Sequence, residues 1–239
     1  MMKLFSTSLL ALIVAIAASV STVEAVDAIY FEGGGSTLRG NINGFTKDVV
    51  KIQQGANERE IPINTIRAIN WDNESRDLKN ARTQEQTGNV TEALKLYESA
   101  KDDLGSLSSN AQSDFQYLIA RAQARAAMGD SSIIDTAIKA LEDFKAANRN
   151  HFRYYELHKY LGNLYSAKGD TANATASFNE LKSAPYKDYQ MAAKILAADA
   201  LLKNGKLEQA QQEYQAVANL NTETPQETAR KNEARLGLA

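Results

Sequence analysis

No cysteine occurs among the 239 residues, so thiolate nucleophiles, CxxC redox pairs, cysteine-ligated zinc or iron–sulfur centres and disulfides are all excluded. Histidine is nearly as scarce. His151 and His158 lack the i, i+4 spacing of a zinc-protease helix, and no motif supplies further ligands, so no metal or other cofactor is expected. A surplus of charge is missing too, with 27 Lys plus Arg against 29 Asp plus Glu. Phosphate-binding surfaces normally leave a basic excess, so nucleic acid is not an expected partner. There is no G-x-S-x-G nucleophile elbow. Adjacent acids such as Asp102-Asp103 and Glu142-Asp143 point to different faces of a helix rather than forming an acid–base pair. An enzyme is therefore not expected.

What is present falls into three textures. Met1, Met2 and Lys3 precede an uncharged stretch from Leu4 to Val20, and Val23 and Ala25 place small residues at −3 and −1 of a cleavage site after Ala25. Residues 1–25 are thus expected to be a secretory signal peptide. Their apolar core is short beside the ~20 strongly apolar residues of a membrane span, an uncleaved anchor being the alternative. Lipidation would need a cysteine. The expectation is an exported protein, periplasmic or secreted, without stable membrane insertion after cleavage.

Residues 26–72 read as a small β-strand module. Short β-branched runs, Ala28–Phe31, Thr37–Ile42, Val49–Ile52, Glu60–Ile63 and Ile66–Trp71, are separated by Gly33-Gly34-Gly35, Asn43-Gly44 and Gly55-Ala56-Asn57. The three glycines are followed by strand-like residues and no GK[ST], so a hairpin turn is expected there rather than a phosphate loop. The Gly-rich turn, the G-x-I and V-x-I strands and the I-P-x-x-x-I close resemble the small SH3-like or Sm-like barrels. That resemblance implies closure into a barrel. The segment carries five basic and six acidic residues, which is no platform for RNA.

Residues 73–239 are rich in Ala, Leu, Gln, Lys and Glu, and they repeat. Gly88 is followed by Ala93 and Tyr97, Gly169 by Ala174 and Phe178, and Gly205 by Ala210 and Tyr214. Each glycine has an alanine five residues on and an aromatic nine residues on. A fourth copy at Gly129 fits with Ala137 and Leu141 if its second helix begins three residues late. Glycine ends a first helix in the left-handed conformation. Asn89, Asp130 and Asp170 are candidate N-caps of the second, Asn89 with Glu92 at capping-box spacing.

The stretch from Tyr155 to Tyr186, with Leu161, Gly162, Tyr165, Gly169, Ala174, Phe178, Leu181 and Pro185, is similar to the tetratricopeptide (TPR) repeat. The whole resembles exported bacterial TPR proteins with a small N-terminal β module. The expected fold is α+β, mainly α: a barrel, then a solenoid of about four repeats with a C-terminal capping helix from Pro225 to Leu236. The resemblance implies a non-enzymatic scaffold or adaptor holding a protein or peptide in the groove lined by the first helices. On the third copy that groove would use Glu156, Lys159, Tyr160, Asn163 and Ser166. On the fourth it would use Ala192, Ile195, Leu196, Asp199 and Leu202; on the second, Gln116, Ile119, Ala120 and Gln123. Lys159 and Asn163 resemble half of a carboxylate clamp, but Leu196 stands where the clamp needs a second asparagine. A component of envelope or outer-membrane assembly is an alternative reading. An enzyme with a site between the β module and the repeats is a further one, and it would require a deep pocket with converging titratable groups.

Overall fold

The computed structural model describes residues 26–239; the expected signal peptide lies outside them. Five strands come first: β1 (Asp27–Phe31), β2 (Leu38–Phe45), β3 (Val49–Gln54), β4 (Asn57–Pro62) and β5 (Ile66–Asn70). They form one antiparallel sheet in the order β4-β3-β2-β1-β5. β2 serves two partners, pairing with β1 over Leu38–Gly40 and with β3 from Asn41 onward, with a register shift between Ile42 and Gly44. Gly33, Gly34 and Gly35 all have positive φ and lead into β2, a strand rather than a helix.

The expected closure into an SH3- or Sm-like barrel does not occur. β4 and β5 are the two edges of the sheet, joined by a single 3-10 turn, Ile63–Thr65, with no ladder between them. Each edge is managed in another way. β4 presents Glu58, Arg59 and Glu60 to solvent, and charge on an edge discourages pairing with another chain. At β5 the Arg82 Nη1–H group donates to the Ile69 carbonyl at 2.8 Å, so a helix supplies the hydrogen bond that closure would have made.

Nine helices follow among the described residues: α1 (Arg76–Gln86), α2 (Val90–Ser99), α3 (Ser109–Ala127), α4 (Ile134–Ala147), α5 (Tyr154–Lys168), α6 (Thr171–Lys182), α7 (Lys187–Lys203), α8 (Leu207–Ala218) and α9 (Pro225–Gly237). They form four antiparallel pairs, with α9 folded back on α7 and α8. The repeat glycines Gly88, Gly169 and Gly205 take φ of +88°, +82° and +70°, the conformation a Cβ resists. Gly129 does not: the three extra residues form a 3-10 turn, Ser131–Ile133, before α4 begins. The repeat residues Ala93, Ala174 and Ala210 and the aromatics Tyr97, Phe178 and Tyr214 are all buried.

One of the three expected helix caps forms, that of Asp170 on α6, while Asp130 is displaced from α4 by the inserted turn. Asp170 accepts from the Asn173 backbone N–H at 3.1 Å, and Asp130 accepts from Ser132 N–H at 3.0 Å, capping the inserted turn. Asn89 does not cap α2. Its side-chain amide donates instead to Gln84 at 2.8 Å, and no side-chain cap bond to α2 forms.

Sheet and repeats share one apolar core. Ile29, Ile52, Ile69 and Trp71 belong to the same buried cluster as Leu78, Phe115, Leu118, Leu157 and Leu161, whereas the last helices form a second cluster around Ile195, Tyr214 and Val217. None of the described helices is long and apolar enough to cross a membrane.

Candidate functional site

The sheet is seated across the N-terminal ends of the first helices α3, α5 and α7. Phe45 of β2 packs its ring against His151 and Phe152, at centroid distances of 4.4 and 5.1 Å. The turn after β2 places Asp48 under the hydroxyls of Tyr155 and Tyr186, the former donating to its carboxylate at 3.1 Å and the latter to its backbone carbonyl. Asn64 donates to Asp188 at 2.9 Å, and Asn110 to the Ile42 carbonyl at 3.2 Å. The run His151–Tyr155 is therefore mostly the seam between sheet and repeats.

Beneath this seam runs a chain of buried ions. Trp71 Nε1–H donates to Asp114 at 2.8 Å, and Arg153 Nε–H donates to the same carboxylate at 2.8 Å. Arg153 also donates to Glu156 at 3.1 Å, Arg121 to Glu156 at 3.2 Å, and Arg121 to Glu85 at 2.7 and 2.8 Å. A separate buried pair joins Glu74 and Arg82 at 2.5 Å. Burial alone would raise the carboxyl pKa values. At Asp114 the Arg153 guanidinium overcomes it and holds the group below the ordinary range; at Glu156 Arg121 and Arg153 do the same. These acids stay ionised because cations were buried with them.

Above the ion chain lies a cavity of about 500 Å³, walled by the sheet (Glu32, Asn64, Arg67), by α3 (Arg121), by α5 (Arg153, Glu156, Lys159), by α7 (Asp188, Tyr189, Ala192) and by α9 (Gln226, Arg230). Its size is that of ordinary ligand sites. Burial pushes the Asp188 carboxyl above its usual range, against the opposing Asn64 hydrogen bond.

Of the residues expected to line a groove, the structure brings Glu156, Lys159 and Ala192 into this cavity. Tyr160 and Asn163 are half-buried beside it and do not line it; Tyr160 packs on the core, and burial raises its hydroxyl to about 12. Ser166 faces a second cavity of about 530 Å³ between α6, α7 and α8, its hydroxyl without a hydrogen-bond partner. Ile195 and Leu196 are 2% and 9% exposed and serve as core rather than groove surface. Asp199 accepts a hydrogen bond from Tyr214. For Ile195 the reason is α8 and α9, which cover its face of α7; Leu196 packs into the main core instead. Apart from Lys194, α7 is apolar from Met191 to Ala198, the signal of a helix buried on most of its circumference.

Sequence reasoning missed Arg121, Arg153, Asp188, Arg67 and Arg230. On α3 the expected face was one to two residues out of phase. Each residue of error turns a helix face by about 100°, so Gln116 points to solvent while Asp114, Tyr117 and Arg121 face inward. Arg67 and Arg230 come from elements outside the repeats. His151 and His158 are both buried, and burial lowers each to about 4. Among the described residues no group of three or more His, Asp or Glu could hold a metal ion.

No family model matches the chain, and no curated protein does. Two crystal structures of nearly identical TPR-like repeats from Podosopora anserina, of a protein named for kinesin light chain, are similar in part. Both are 21% identical with a TM-score of 0.46 over 67% of this chain; the match covers 83% of one and 82% of the other, a single-substitution variant. The helix pairs, their left-handed glycines and their buried Ala and aromatic positions define a TPR-like repeat architecture carrying an N-terminal antiparallel sheet.

Proposed function

We propose that this chain is an exported, non-enzymatic scaffold that holds a protein or peptide on the face lined by α3, α5 and α7. The supporting observation is the cavity itself, open to solvent yet walled by three separate parts of the fold, with its acids Glu156 and Asp188 engaged by Arg121, Arg153 and Asn64. Groups tied up in this way position a surface rather than carry protons. Service in envelope or outer-membrane assembly is one setting for such a scaffold.

The test is site-specific crosslinking. A photoreactive residue at Lys159 should capture polypeptide from the compartment where the protein resides, whereas one at Lys139, an exposed position on α4, should not. Equal capture at both sites would sink the groove assignment. Export is tested by fusing residues 1–25 to a reporter active only outside the cytoplasm; no reporter activity would refute it.

A second reading has one observation in its favour. The cavity lies between sheet and repeats, and Asp188 there has a raised pKa, as a general acid would. Turnover of any substrate that is lost in Asp188→Asn with unchanged fold would favour the enzyme.

A further inference from the structure

The charges around the cavity are unevenly satisfied, and the imbalance identifies what it would hold. Five basic side chains line it against three carboxylates. Two of those carboxylates are already engaged: Glu156 accepts from Arg121 and Arg153, and Asp188 accepts from Asn64 at 2.9 Å. Only Glu32 has no partner among the described residues.

The cations are not used up to the same degree. Among the described residues Lys159 and Arg67 make no ion pair or side-chain hydrogen bond, and Arg67 lies over the Tyr30 ring at 5.9 Å. Arg230 pairs with Glu233 at 2.7 Å, an acid outside the cavity lining. The arginines of the cavity wall have capacity left as well. A guanidinium carries five N–H donors. Arg121 engages three, one to Glu156 and two to Glu85, and Arg153 engages three, two to Asp114 and one to Glu156. Two donors of each remain, on groups whose side chains are only 13% and 10% exposed. Their positions are set by buried carboxylates, so a ligand would not have to order them, and charge-assisted bonds to a preorganised guanidinium are the strong kind.

We infer that this cavity takes the carboxylate side chains of an acidic peptide segment, seated on Arg121 and Arg153 and flanked by Lys159 and Arg67. The segment is a peptide because the scaffold reading supplies a polypeptide partner and because the cavity's cations are spread over the sheet, α3, α5 and α9. The inference rests on the scaffold reading and specifies its partner.

The experiment is fluorescence polarisation with residues 26–239 and labelled, C-terminally amidated octapeptides: alternating Ala and Glu, its Gln counterpart and its Lys counterpart. The Glu peptide should bind at least tenfold more tightly than either control. Its affinity should fall at least tenfold in Arg67→Gln/Lys159→Gln, whose circular dichroism and melting temperature should match the parent. Lys139→Gln should bind as the parent does. If the Gln peptide binds as well as the Glu peptide, the groove stands and the acidic specificity falls. If only a free C-terminus confers binding, an end carboxylate rather than side chains is recognised. Glutarate at equal carboxylate concentration displacing the peptide would assign the site to a small dicarboxylate. Equal affinity of parent and double variant would place the ligand elsewhere. Each of these four results overturns the inference.

Discussion

Gly162 lies inside α5, where glycine is normally a liability, and replacing it with alanine should weaken the protein. Alanine is favoured over glycine in a helix by up to ~1 kcal/mol, so local propensity alone forecasts a gain. Packing forecasts the opposite. A Cβ at Gly162 would lie within 2.9 Å of three atoms of the Phe178 ring on α6. Phe178 is 5% exposed and belongs to the main core, so its ring can give way only by repacking toward the second cavity that it borders. Forcing an extra methyl into a close-packed core costs about 1–3 kcal/mol, leaving a net loss of about 0.5–2 kcal/mol. At about 2–4 °C per kcal/mol for a chain of this size, the melting temperature of Gly162→Ala should drop by roughly 1–8 °C. The assay is thermal melting by circular dichroism, run with Phe178→Leu and the double variant. Leucine removes the ring, so the double variant should recover stability relative to additivity by about 0.5 kcal/mol or more. A melting temperature equal to or above the parent's for Gly162→Ala would refute the packing argument.

Other consequences follow from the same structure. Gly169→Ala forces a Cβ into left-handed backbone at φ +82° and should cost about 1 kcal/mol, whereas Gly129→Ala, which has no positive φ, should cost less than half of that in the same melts. Asp114→Ala would leave the Arg153 guanidinium buried without its main partner and should destabilise by about 3–5 kcal/mol, read in urea unfolding. His151 and His158 are held neutral at about 4 in the folded state, while the unfolded chain binds their protons near 6.5. Stability should therefore be complete above pH 6.5 and fall toward pH 4 by up to about 1.4 kcal/mol per unit for each histidine; Asp114 and Glu156, with lowered pKa values, add further loss only below about pH 4. Both ring nitrogens of His158 are buried without partners, so His158→Leu should raise the melting temperature and remove about half of that pH slope; an unchanged slope would sink the assignment.

Legibility in the sequence followed the range of the interaction that sets each feature. Turns were readable because they depend on one residue's backbone: the left-handed Gly88, Gly169 and Gly205 announce the helix pairs, and an absent positive φ at Gly129 goes with its three inserted residues. Burial of Ala93, Ala174 and Ala210 follows from periodicity within single helices. The Asn89 cap failed over a competing local bond to Gln84, a choice between two neighbours that composition does not rank.

Sequence alone determined the exclusion of thiol chemistry, the strand-then-helix order and the repeat spacing, because each depends on residue identity or on contacts within about ten positions. Tertiary structure decided the rest. The sheet stays open with Arg82 reaching Ile69 at its β5 edge, Ile195 is buried by α8 and α9, and the cavity exists because Arg67, Arg121, Lys159 and Arg230 meet from four elements. Such contacts join residues from 13 to more than a hundred positions apart, and no local pattern of side chains encodes which of them will meet.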